Sequence, residues 1–169
     1  HGKSAGNIDV VLVAYDSNGK VYNFGALEIQ AVYISGNVRE PFEHYMKNPR
    51  GRAAMDWSKE PNYPRPDYLS SSRKRLAPQL LFKGGILHSW KKKIAVALNK
   101  SFFATLPTLK TVSKSDADIA WLIYDLELIK EKGRGPGRYS LKKVEEVFTE
   151  FEPALLSITT PSPGDVRDF

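Results

Sequence analysis

Residues Asn7 to Tyr15 (NIDVVLVAY) form a β-branched apolar run, followed by Asp16, Ser17, Asn18 and Gly19 as a cluster of turn formers. Strand character resumes over Lys20 to Ser35, so the Asn-Gly chemistry predicts a hairpin. The first run is apolar at successive positions, the pattern of a central strand covered on both faces, and only Asp9 interrupts it. From Gly36 to Pro66 five prolines predict a loop, with room for a short helix over Glu40 to Lys47.

Asp67 is placed to cap a helix running from Tyr68 to Phe82, with Leu69, Leu76, Leu80 and Leu81 on its buried side and Gly84 and Gly85 as its stop. Pro78 predicts a kink there, or a helix that starts only near Leu76. Lys93 to Leu98 and Ala117 to Ile129 read as further strands, with Ser101 to Leu106 partly buried between them. After a turn at residues 133–137, Ser140 is expected to cap an amphipathic helix over Leu141 to Phe151, with Val144, Val147, Phe148 and Phe151 inward. The order implies an α/β fold, a mixed central β-sheet flanked by helices.

Length and composition narrow the picture. At 169 residues, 41% hydrophobic and 26% charged, the chain is of single-domain size and ordinary globular usage. Residues 1–158 are read as one domain and 159–169, with Pro161, Pro163 and Gly164, as a flexible tail. The chain starts at His1, directly ahead of a strand pattern, so a longer N-terminal part or a tag is expected upstream. No apolar stretch suits a membrane span or signal peptide, which predicts a soluble, cytoplasmic protein. Cysteine is absent and the three histidines lack zinc-ligand spacing, so any metal must sit on oxygen ligands. The net charge of +6 favours an anionic partner, of which a nucleic-acid backbone is the commonest.

Asp9 lies among Ile8, Val10, Val11 and Leu12, where a carboxylate needs a cation or hydrogen bonds to offset its desolvation. Glu28 lies inside a second apolar strand, Ala26 to Val32, and alternation puts Glu28 and Gln30 on one face with Leu27, Ile29 and Ala31 on the other. If the two strands pair, one register brings Asp9 beside Glu28. Two carboxylates, a backbone carbonyl and an amide form an oxygen-rich site suited to Mg2+, with Mn2+ as the expected substitute. Such an ion activates water and polarises a phosphodiester.

Asp9 followed by Glu28-Ile29-Gln30 on the next strand resembles the PD-(D/E)xK nuclease signature, with glutamine in the lysine position. Gly25-Ala26-Leu27-Glu28-Ile29-Gln30 is similar to the corresponding strand of NotI-type restriction endonucleases, and Lys74 to Lys83 (KRLAPQLLFK) to their basic helix. Ala120-Trp121-Leu122-Ile123 resembles the family's late core strand, so the likeness runs unevenly from Asn7 to Leu128. The resemblance implies a restriction-endonuclease-like core. In it Asp9 and Glu28 hold the metal, Ile29 lends a carbonyl and Gln30 orients water, although glutamine cannot supply the charge of a lysine. Arg75, Gln79 and Lys83, spaced four apart, would form one polar ridge. With Arg73 and Lys74 they are expected to contact DNA, Lys74, Arg75 and Lys83 touching backbone or stabilising charge near the scissile phosphate. Arg134 and Arg138, with Lys142 and Lys143, offer further phosphate contacts.

The activity implied is Mg2+-dependent hydrolysis of duplex DNA by a site-specific type II restriction enzyme, and by resemblance alone a homodimer. Two readings stand beside it: a structure-selective repair or junction nuclease of the same fold, and a DNA-binding domain without catalysis, which the glutamine permits. Lys91, Lys92 and Lys93 are read either as a gatekeeper run ahead of a strand or as phosphate contacts. Trp57, Trp90 and Trp121 are read as core or lid residues, Trp121 as buried, and His44 as a loop or helix histidine without an identified partner.

Overall fold

Asp16 organises the first turn: its Oδ1 accepts from the backbone N–H groups of Asn18 and Lys20, both at 2.9 Å, while Gly19 takes a left-handed φ of +79°. This closes the hairpin of β1 (Val10–Tyr15) and β2 (Val21–Ile29). The computed structural model describes residues 6–60, 63–129 and 138–161. β2 pairs in parallel with β5 (Ile94–Asn99), which pairs in parallel with β6 (Ile119–Ile129). Antiparallel to β6 lies β7 (Arg138–Thr149), giving a five-stranded mixed sheet in the order β1-β2-β5-β6-β7.

β1 is therefore an edge strand, where its pattern predicted a central one, and Val11, Leu12 and Val13 are each about half exposed. Apolar residues on both faces fit a central strand but do not require one. Nor does Lys20 to Ser35 run as one strand. The chain leaves the sheet after Ile29, and β3 (Tyr33–Ser35) pairs instead with β4 (Arg65–Asp67) in a separate two-stranded sheet. Between them lie a helix over Arg39–Met46, close to the expected position, and a single 3-10 turn at Trp57–Lys59.

Asp67 caps the long helix as expected, accepting from the backbone N–H of Ser70, a bond that holds its carboxyl below the usual aspartate range. The helix passes through Tyr68–Ser71, Ser72–Leu76, Ala77–Gln79, Leu80–Gly84 and Gly85–Ser89 without a break. Ser72–Leu76 and Leu80–Gly84 are π-type turns, in which Ala77 N–H reaches Ser72 O and Gly85 N–H reaches Leu80 O. They flank Pro78, whose missing N–H and ring disrupt the ordinary α ladder. Widening the turns on either side lets the helix continue. Gly84 and Gly85 thus lie inside the helix, with α-helical angles, and do not stop it.

Across β2, β5 and β6 the inward rows line up: Ala26, Ile94 and Ile119 in one, Glu28, Val96 and Trp121 in the next. Leu76, Leu80 and Leu87 of the long helix pack on these rows, joined by Phe102, Phe151 and Ala154. Asn99 caps a short helix, Lys100–Phe103, that buries Phe102, in line with the expected burial of that segment. Trp121 is fully buried and donates from Nε1 to Thr149 Oγ1 at 3.0 Å. Trp90, against Phe24, is 60% exposed, and Trp57 packs on Tyr45.

Leu141 to Phe151 is not the helix that its spacing predicted. Residues 138–149 pair with β6 along its length, and a long antiparallel ladder outweighs a modest helical periodicity. The last helix, Phe151–Thr159, begins only after β7 ends. Thr159 closes that helix, so the expected flexible tail starts inside it, and its remainder, 162–169, lies outside the described residues. Among the described residues no helix is long and apolar enough to cross a membrane.

Candidate active site

The ladder pairs Val10 with Leu27, so Asp9 stands one step further along, level with Glu28 at the open end of the hairpin. There Asp9 leaves the backbone pattern. Its Oδ2 accepts the N–H of Ile29 at 2.8 Å, so a side chain completes the ladder where the strand ends. Asp9 remains exposed, while Glu28 is 2% exposed because its strand position faces the helix layer beside Val96. The two acids come from adjacent strands and differ sharply in solvation.

Glu28 Oε2 accepts from Lys83 Nζ at 2.7 Å, and this ammonium descends from the long helix between Leu80 and Leu87. Glu28 Oε1 has no hydrogen-bond partner and is buried. Gln30 lies on the same strand face, its backbone N–H bonded to Ala97 O at 2.8 Å and its Nε2 to Ala31 O at 2.9 Å. The other end of its amide, Oε1, is likewise buried and without a partner. Two buried oxygens free of any donor are costly on their own, and a hard cation or a bound water satisfies oxygens of this kind. Among the described residues no three His, Asp or Glu side chains gather to bind a metal, so an ion here would have two carboxylates and backbone, amide or water oxygens. Ile29, between Glu28 and Gln30, is 59% exposed and its N–H is held by Asp9.

The basic residues do not stay together. Arg73 and Lys74 are exposed, and Arg73 lines a groove with Arg65, Tyr68, Thr105 and Ile158 that includes none of Asp9, Glu28 and Gln30. Arg75 stacks over Tyr33 with its guanidinium carbon 4.4 Å from the ring centre. Gln79 is half-buried, and the Lys83 side chain is only 11% exposed. The single outward ridge is therefore absent: Arg75 lies over Tyr33, while Lys83, seven residues after Leu76, shares the face that Leu76, Leu80 and Leu87 turn to the core. Arg138 opens β7 opposite Ile129, at the outermost rung of a ribbon extending beyond Tyr124, the last β6 residue paired to β5. Arg134 lies outside the described residues.

Two groups lacked a role in sequence. Ser71, fully buried, accepts the Tyr33 N–H at 2.8 Å and donates to Asp67 O, tying both strands of the small sheet to the helix. His44 has a partner after all, Glu60 at 3.0 Å, and its carbonyl accepts from Arg52. Nothing in the local pattern signals either contact. Lys92 bonds Asn23 and Lys93 bonds the carbonyl of Ser115, so both have structural duties where the chain enters the middle strand β5.

No curated protein matches the chain significantly. The family model described as restriction endonuclease NotI matches residues 1–141, from ahead of Asp9 through both acids, the basic helix and the central strands. The chain belongs to the NotI restriction endonuclease family, whose members cleave DNA.

Proposed function

We propose that the chain is the PD-(D/E)xK nuclease core of a site-specific restriction enzyme that hydrolyses phosphodiester bonds of duplex DNA with Mg2+. The observation supporting this most directly is the pair of unpartnered buried oxygens, Glu28 Oε1 and Gln30 Oε1, one strand away from the Asp9 carboxylate. Asp9, Glu28 and the carbonyl of Ile29 would hold the ion. When bound, it would lower the pKa of a water ligand and offset charge building on the phosphate. Gln30 Oε1 would accept a hydrogen bond from the attacking water and fix its direction, which an amide does as well as any neutral group. The hydrogen bond from Ile29 N–H keeps the Asp9 carboxylate turned toward the strand end that carries Glu28. Arg73 and Lys74 are exposed cations suited to phosphates flanking the cut, and a homodimer would present two such sites to the two strands of a palindrome.

Plasmid cleavage tests the reading. Discrete fragments are expected with Mg2+ or Mn2+, none with chelator, and none from folded Asp9→Asn or Glu28→Gln protein. A smear, or cutting confined to branched DNA, would replace site specificity with structural selectivity. Undiminished cutting by Glu28→Gln would rule out this site.

A further inference from the structure

We propose that Lys83 supplies, from the long helix, the positive charge that Gln30 cannot provide from the strand. The inference rests on the nuclease reading above and adds a catalytic group to it. Lys83 Nζ meets Glu28 Oε2 at 2.7 Å with side-chain exposures of 11% and 2%, so the pair is almost dry. Dry ion pairs are poor stabilisers, since well-packed apolar groups in their place are often neutral or better. Glu28 stands in a row with Val96 and Trp121, so the pair is set beside large apolar side chains, where packing alone gives no reason for a lysine.

The charge balance gives a reason. Asp9 and Glu28 together leave the site negative, and hydrolysis adds negative charge on the phosphate oxygens. One fixed cation besides a metal ion reduces that repulsion at the moment it grows. Lys83 occupies the right carboxylate oxygen for this task. It takes Oε2 and leaves Oε1 free, so ammonium and metal need not compete for the same atom. An ammonium has three donors, and after Glu28 takes one the others can serve a non-bridging phosphate oxygen. The helix holds the lysine firmly: Leu80 and Leu87 are each 1% exposed in the core, and the chain at Gly6, three residues before Asp9, lies along the Lys83 stem.

Lys83→Gln keeps a hydrogen-bond donor and removes the charge. The single-turnover rate on plasmid DNA is expected to fall about 10²–10³-fold, the cost typical of losing one group that stabilises transition-state charge. Mn2+ binding followed by calorimetry is expected to persist or tighten, because a like charge beside the cation has gone. Adding Gln30→Lys to Lys83→Gln moves the cation to the strand and should recover at least about tenfold in rate. Cleavage by folded Lys83→Gln within about fivefold of wild type overturns the proposal, and so does loss of Mn2+ binding in step with cleavage, the mark of a purely structural role. Should Lys83→Gln not fold, Lys83→Arg decides. Retained cleavage supports the role, and lost cleavage with intact Mn2+ binding refutes it. A wild-type chain without metal-dependent cleavage would sink the nuclease reading itself, whereas an active wild type beside an active Lys83→Gln sinks only the role of Lys83.

Discussion

Gly84 and Gly85 are adjacent, both α-helical in backbone angles, and differ in what a side chain would meet. A Cβ at Gly84 would lie 2.8 Å from Cε2 of Phe151, whereas at Gly85 the nearest outside atom is Cζ of the same ring at 3.9 Å. Phe151 cannot easily retreat. It is 5% exposed, its ring stacks on His88 at 4.8 Å, and its backbone N–H is bonded to Asp118 at 3.0 Å. Alanine gains about 1 kcal/mol over glycine in either helical position. At Gly85 that gain stands alone, so Gly85→Ala should raise the melting temperature by about 2–4 °C in a chain of this size. At Gly84 overpacking costs about 1–3 kcal/mol and cancels or exceeds the gain. The helix contribution drops out of the comparison, so the gap in Tm between the two variants reads the strain directly and should be at least about 2 °C. Calorimetric or circular-dichroism melts of the two variants measure it, with Gly84→Ala in a Phe151→Leu background as the control in which the penalty disappears. If Gly84→Ala melts as high as Gly85→Ala, the close approach of the last helix to the long helix is wrong. The placement of Lys83, the residue before Gly84, is then in question too.

Two further outcomes follow from the same geometry. Thr149→Val leaves the buried indole N–H of Trp121 without an acceptor and should cost about 1–3 kcal/mol, read as a lower urea midpoint at unchanged m; a loss below about 0.5 kcal/mol would contradict the bond. Replacing Arg73 and Lys74 together by alanine should reduce the slope of log affinity against log salt by about 0.9 for each phosphate contact removed, and an unchanged slope would take both residues off the DNA.

Local chemistry in the sequence determined the pieces that depend on neighbours along the chain. The Asp16 to Gly19 turn, the Asp67 cap and the strand character of Ile94 to Leu98 and Ile119 to Ile129 follow from side chains close to the backbone they organise. The alternation that puts Glu28 and Gln30 on one face is equally local, and the hairpin then sets Asp9 level with Glu28. Tertiary structure decided what depends on distant partners. An apolar run at Val10 to Val13 has the same pattern at the edge of a sheet as at its centre. Helical spacing after Ser140 yields to a ladder with β6 that no window around Ser140 contains. Two glycines that read as a stop lie within a helix, and one of them, Gly84, faces Phe151, more than sixty residues on, too closely for a side chain. The same holds for the site. Its acids and amide are set by strand periodicity, but Lys83 meets Glu28 across 55 residues of sequence, a contact that exists only once the long helix packs on β2. Periodicity measures spacing along one element, whereas burial and ion pairing are properties of two elements brought together, so the chain alone could name the carboxylates and a lysine on the helix but not the pairing of Lys83 with Glu28.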